Sequence, residues 1–167
     1  MNEVHPINRP PAIDLREVHP SEPVVRINTD CAGERQTEFW ADVIELDIDQ
    51  ELLAYWFWNY DAGAESADLL RPPLDEHRVT QTGDTRRSIP SFHLPAHPGS
   101  DLNAEGVHTL EVFVVEEDAL VRGRGEEPPF YRNLRDCGAE GYPDDCVSTH
   151  PAVMRWTIHN VAEGSCP

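Results

Sequence analysis

Lysine is missing from this chain. All 13 basic residues are arginine, set against 31 acids, for a formal net charge of −18. No side-chain amine is present for Schiff-base or lysine general-base chemistry. A field of that sign repels phosphates and anionic lipid, which excludes nucleic acid and membrane surfaces as partners and favours cations and basic proteins. The plain source of an arginine-only base set is a GC-rich genome. Long apolar runs are missing too. The longest, Leu52 to Trp58, is far short of the ~20 residues of a spanning helix, so no membrane span is expected. Met1-Asn2-Glu3-Val4-His5-Pro6 has neither a basic nor an apolar signal region, and no lipid-attachment cysteine stands near it. There is no Asn-x-Ser/Thr acceptor, no C-x-x-C, no H-E-x-x-H, no G-x-S-x-G and no Walker or G-x-G-x-x-G loop.

What is present suits one domain. The 167 residues are 39% hydrophobic, enough for a sizeable core. The four cysteines are Cys31, Cys137, Cys146 and Cys166. Of three pairings, Cys137–Cys146 closes a short Gly/Pro/Asp loop, and Cys31–Cys166 ties the start of the domain to its end. In the chain-entropy picture these contribute about 3 and about 5 kcal/mol. Such bonds point to an extracellular, periplasmic or cell-surface protein; as this sequence shows no export signal, either the exporting segment was removed or the compartment is another one. The rival is a zinc site from Cys137, Cys146 and His150, whose C-x8-C-x3-H spacing is unusual for that metal.

Residues 1–23 carry five prolines and read as an extended leader or edge segment, with the domain at 24–167. Val24 to Ile27 reads as a short strand. Phe39 to Ile48 alternates, with Ile44, Leu46 and Ile48 on one face and Glu45, Asp47 and Asp49 on the other. Leu52 to Tyr60 is the strongest strand. Ala54, Trp56, Trp58 and Tyr60 share one face, Leu53, Tyr55 and Phe57 the other, and both faces need cover. Residues 61–86 read as a loop with one helical turn at Ala64 to Leu70. Arg87 to Leu94 is a strand interrupted at Pro90, Val107 to Val115 a clear strand, 117–152 a long connection, and Ala152 to Val161 the last strand. Six or seven strands, turn-rich spacing and almost no helical pattern predict an all-β, immunoglobulin-like two-sheet sandwich.

Three stretches carry a family likeness: Asp47-Ile48-Asp49-Gln50-Glu51-Leu52 leading into Tyr55-Trp56-Phe57, Gly106 to Asp118, and Met154 to Ile158. Together they resemble the bacterial immunoglobulin-like domains of the PKD kind found in exported proteins and lipoproteins. The chain departs from that pattern in having Asn59-Tyr60-Asp61-Ala62-Gly63 where a Gly-Asp-Gly is expected, and in the cysteine-bearing insertion before its last strand. The likeness implies a surface-exposed binding or spacer module.

The candidate sites are few. Glu45, Asp47, Asp49 and Glu51, with Asp61 and Asp118, could offer calcium the six to eight oxygens it takes; the plain alternative is a solvated acidic face. Arg122, Arg124, Phe130, Tyr131, Arg132 and Arg135 form an Arg/Tyr-rich stretch suited to docking a partner, a polyanion or another copy. Self-pairing with the neighbouring acids is the alternative there. His93 and His97 are spaced like a helical metal pair, but Pro95 between them makes them loop residues; His108 and His159 lie on strands. The reading is a non-enzymatic structural or binding module without a cofactor unless calcium binds. A calcium-dependent adhesion module and a small metal- or carboxylate-dependent hydrolase are the alternatives.

Overall fold

The computed structural model describes residues 9–32, 35–47, 49–60, 75–117 and 151–163. These described residues form ten strands: β1 (Ala12–His19), β2 (Val24–Asn28), β3 (Thr37–Ile44), β4 (Leu52–Trp58), β5 (Asp75–Arg78), β6 (Thr80–Gln81), β7 (Arg86–Ser88), β8 (Phe92–Leu94), β9 (Gly106–Glu116) and β10 (Ala152–Val161). Helical pieces among the described residues are single 3-10 turns such as Thr29–Cys31 and Asp101–Asn103. The all-β, two-sheet expectation therefore holds. One sheet runs β1-β3-β7-β6, with β8 also on β3; the other runs β2-β10-β9-β4-β5. Among the described residues the one parallel pairing is β2 with β10.

The first edge of the molecule belongs to both sheets. β1 pairs with β3, the chain crosses at Pro20, and β2 then pairs with β10. The indole of Trp156 on β10 holds the crossing, its Nε1–H donating to the Pro20 carbonyl at 2.9 Å. A proline-rich stretch can take an edge because an edge strand leaves half its ladder groups unpaired anyway.

The core lies between the sheets. Phe39, Ala41 and Val43 of β3 face Ala54, Trp56 and Trp58 of β4, Leu110, Val112 and Val114 of β9, and Trp156 and Ile158 of β10. Trp56 stacks on Trp156 with centroids 6.0 Å apart and on Phe92 at 5.4 Å, and Phe39 meets Trp156 edge-on at 5.5 Å. The outer face of β4 is buried as well. Leu53, Tyr55 and Phe57 pack with Tyr60, Phe113 and Val115 in a second cluster. All seven residues of β4 are thus buried, which is why this run is continuous rather than alternating.

Several local expectations are corrected. Tyr60 joins the second cluster, not the Trp56 face, because Asn59 takes a positive φ of 51° and breaks the period of two. Its side chain secures that bend: Asn59 Oδ1 accepts from the Thr109 amide, and Nδ2 lies 2.9 Å from His108 Nδ1. On β3 the inward set is Phe39, Ala41 and Val43, and Glu45 continues it, while Leu46 is exposed. The strand also stops at Ile44 rather than running to 48: after one further in-register bond, from the Glu45 amide to the Thr85 carbonyl, the chain enters the turn closed by the Gln50 amide on the Asp47 carbonyl. Residues 75–81 are not loop but β5 and β6. His93 is not a loop residue; it sits on β8 opposite Glu38. The break at Pro90 does divide its strand, into β7 and β8. The helical turn at 64–70 and most of the connection 117–152 lie outside the described residues.

Candidate functional site: a charged groove at one end of the sheets

The turn from β3 to β4 carries the acids singled out above, and its backbone explains how they are presented. The Gln50 amide donates to the Asp47 carbonyl at 3.0 Å, and the Asp47 amide donates to Glu45 Oε1 at 2.7 Å. The Arg9 amide donates to Asp47 Oδ2 at 2.8 Å. The Glu117 amide donates to the Glu51 carbonyl at 2.9 Å, so the end of β9 meets the start of β4 at this end of the molecule.

Beside this turn is a groove of about 330 Å³. Leu52 and Val79 give it an apolar floor, and Asp49, Glu51, Arg78 and Arg87 give it charged walls. Arg78 bridges two acids: it pairs with Glu51, and its Nη2 lies 3.2 Å from Glu117 Oε1. The Glu51 carboxyl is held below its usual range by its hydrogen bond with Glu117 and then by the Arg78 guanidinium. Arg87 is buried at 3% exposure, and its Nη1 donates to the carbonyls of Gly83, Asp84 and Arg86. A guanidinium tied to backbone in this way is a fixed positive wall rather than a mobile surface charge.

Glu45 is the unusual member. It is fully buried, and its Oε2 meets no donor. Burial pushes its pKa up, the Asp47 amide pulls it down, the Asp47 charge raises it and Arg87 lowers it. Charge is costly there because little water can reach the carboxylate.

Of the residues proposed for calcium, the structure places Asp47, Asp49 and Glu51 on this one turn; Asp61 and Asp118 lie outside the described residues. Among the described residues no group of three or more His, Cys, Asp or Glu side chains is arranged to hold a metal ion. Arg122, Arg124, Phe130, Tyr131, Arg132 and Arg135 lie outside the described residues, as do Cys137, Cys146 and Cys166. Cys31 is buried and disulfide-bonded. Sequence reasoning missed Arg78, Arg87 and Glu117. Nothing local marks them, since Arg78 meets Glu51 across 27 residues and Glu117 across 39.

His108 stacks on Trp58 with centroids 4.9 Å apart, and its two ring nitrogens lie at 2.9 Å from Asn59 Nδ2 and 2.8 Å from the Ala104 carbonyl. The second contact requires Nε2 to donate, which leaves Nδ1 to accept from Asn59. No family model matches the chain, and neither the curated proteins nor the solved structures contain a match to it.

Proposed function

We propose that this protein is a non-enzymatic binding module of the immunoglobulin-like class, exported from the cell, that takes a basic partner at the groove end. The strand order supports the class. β1, β3, β7 and β6 follow the A-B-E-D order of one immunoglobulin sheet, and β10, β9 and β4 follow G-F-C of the other, with β5 beside β4 as an added strand. A tryptophan buried on the C-position strand is a further feature of that class, met here by Trp56. The narrower likeness to PKD-type domains is supported by its three stretches falling on the β3–β4 turn with β4, on β9, and on β10.

The observation that carries the binding reading is the groove itself. In immunoglobulin variable domains the B–C and F–G loops share the binding end. The β3–β4 turn and the exit of β9 share an end here, joined by the Glu117–Glu51 backbone bond. Asp49 and Glu51 balance Arg78 and Arg87 in the groove wall, Glu117 pairs with Arg78 beside it, and the chain as a whole carries a net charge of −18, so the favoured complement is a cationic side chain. An arginine-rich peptide should bind with an affinity that falls as salt rises, and Asp49→Asn with Glu51→Gln should weaken it about tenfold. Calorimetric titration of the wild type and the double variant with an arginine-rich and a glutamate-rich peptide reads this directly. Equal binding by the double variant would mean diffuse attraction to an acidic surface, and the groove would lose its role. Calcium is the second reading: Asp47, Asp49 and Glu51 share one turn, but their side chains are not arranged as a metal site, so the turn would have to rearrange around the ion. In that case millimolar calcium would raise the melting temperature and displace the peptide.

The export reading rests on the cysteines. We place Cys31 with Cys166 and Cys137 with Cys146. β2 and β10 run in parallel register, Asn28 beside Val161, and Thr29 Oγ1 donates to the Val161 carbonyl at 3.2 Å. Three residues beyond Asn28 is Cys31 and five beyond Val161 is Cys166, a separation that short chain segments can close. Non-reducing peptide mapping of the oxidised protein should recover the Cys31 peptide joined to that of Cys166. A Cys31–Cys137 or Cys31–Cys146 peptide would reject the pairing.

A further inference from the structure

The acids at the groove end already hold a basic side chain, and it is the chain's own. Glu117 stands at the exit of β9, Glu51 at the entry to β4 and Arg78 at the end of β5, three adjacent strands of one sheet. The Glu117 amide on the Glu51 carbonyl sets the two acids side by side. Arg78 lies across the ladder from Leu53 of β4. To reach Glu117 its side chain must cross β4, because β5 and β9 are separated by two strand spacings, about 10 Å. The guanidinium pairs with Glu51 and brings its Nη2 to 3.2 Å from Glu117 Oε1. Glu51 and Arg78 both line the groove, so this bridge stands in its wall.

The bridge is not part of the core. Arg78 is 65% exposed, Glu51 64% and Glu117 33%. Exposed ion pairs contribute little, since water solvates each charge nearly as well as its partner does, and they exchange partners readily. Arg87, in the same groove, is the contrast. It is buried and donates to three backbone carbonyls. The groove thus has one arginine fixed in its wall and one that a competitor can lift away.

We propose that Arg78 is an autoinhibitory occupant: it fills the Glu51–Glu117 pair as a tethered stand-in for a partner's basic side chain, and a partner binds by displacing it. The inference rests on the groove reading above and adds the device that sets its threshold. Tethering makes the contest unequal. A side chain held beside its acids competes at an effective concentration in the millimolar range. A lone arginine at micromolar concentration loses to it. A segment with several basic residues makes more than one contact and displaces it. The device therefore selects clustered basic segments over isolated charges.

Calorimetric titration of the oxidised full chain with the arginine-rich peptide, at ~0.05 M NaCl, compares wild type with Arg78→Gln, Arg78→Lys and Arg26→Gln. Arg26 is the matched control. It is 64% exposed, pairs with Glu163, and lies on β2 at the opposite edge of the same sheet. Arg78→Gln should bind about fivefold more tightly than wild type, the worth of an exposed pair. Arg26→Gln loses the same charge and should change the affinity by less than about twofold. Arg78→Lys, which keeps the charge but not the planar fork, should fall between wild type and Arg78→Gln. Unchanged or weaker binding by Arg78→Gln, beside a wild type that binds, would overturn the inference and leave the groove reading standing. Equal tightening by Arg26→Gln would overturn it as well, because the loss of any positive charge would then suffice. If neither wild type nor Arg78→Gln binds the peptide, the groove reading and this inference fall together.

Discussion

Trp156→Ala is expected to cost about 3–5 kcal/mol of stability, measured by urea denaturation. Against the roughly 5–15 kcal/mol that holds a typical domain together, that removes much of the folded population. The indole is fully buried between the sheets, against Trp56 on one side and the edge of Phe39 on another. Its loss opens a cavity that two rigid sheets cannot close. The phenylalanine variants separate packing from hydrogen bonding. Trp156→Phe removes the donor to the Pro20 carbonyl and leaves that oxygen buried without it, for an added cost of about 1–3 kcal/mol. Trp56→Phe removes an indole of the same size whose Nε1 meets no partner. Trp156→Phe should therefore be the more damaging of the two. Equal losses would mean that the bond at the sheet crossing contributes nothing beyond packing.

Glu45→Gln is expected to stabilise the protein at neutral pH, by on the order of 1 kcal/mol, through removal of a buried charge with one undonated oxygen. Burial raises the folded-state pKa of Glu45 above its unfolded value. Its protonated form is thus favoured in the fold. The stability it contributes is complete below the unfolded pKa, near 4.3, and is lost as pH rises through the folded one. The advantage of glutamine should be present above that folded pKa and shrink as pH falls through it and below the unfolded value, as wild-type Glu45 takes up its proton. Denaturation curves of both proteins at pH 7.5 and pH 4 give the comparison. A variant less stable at pH 7.5 would show that the carboxylate charge is compensated, with Arg87 the obvious source. A natural protein keeps such a residue where function needs it, so the same variant should also be titrated with the arginine-rich peptide.

The sequence by itself determined the class of the fold. Period-two alternation in Val107 to Val115 and Ala152 to Val161, and an aromatic run at Leu52 to Trp58, are local properties, and local properties are enough to name strands. The need to cover both faces of that run was legible for the same reason, since both parities of Leu52 to Trp58 are apolar. Parity was not legible where both sets of positions carried apolar residues. Phe39, Ala41 and Val43 compete with Ile44 and Leu46 for the inside, and only packing against the opposite sheet decides between them. The same decision sends Glu45 inward, against its chemistry. Tertiary structure alone brought Arg78 to Glu51 and Glu117, turned Arg87 to line the groove, and laid Val24, Thr157 and Thr109 in one row. Alternation tells a strand which residues share a face. It does not tell the strand which neighbour it will have or in what register, because pairing is settled between segments far apart in the chain, by the burial they achieve together.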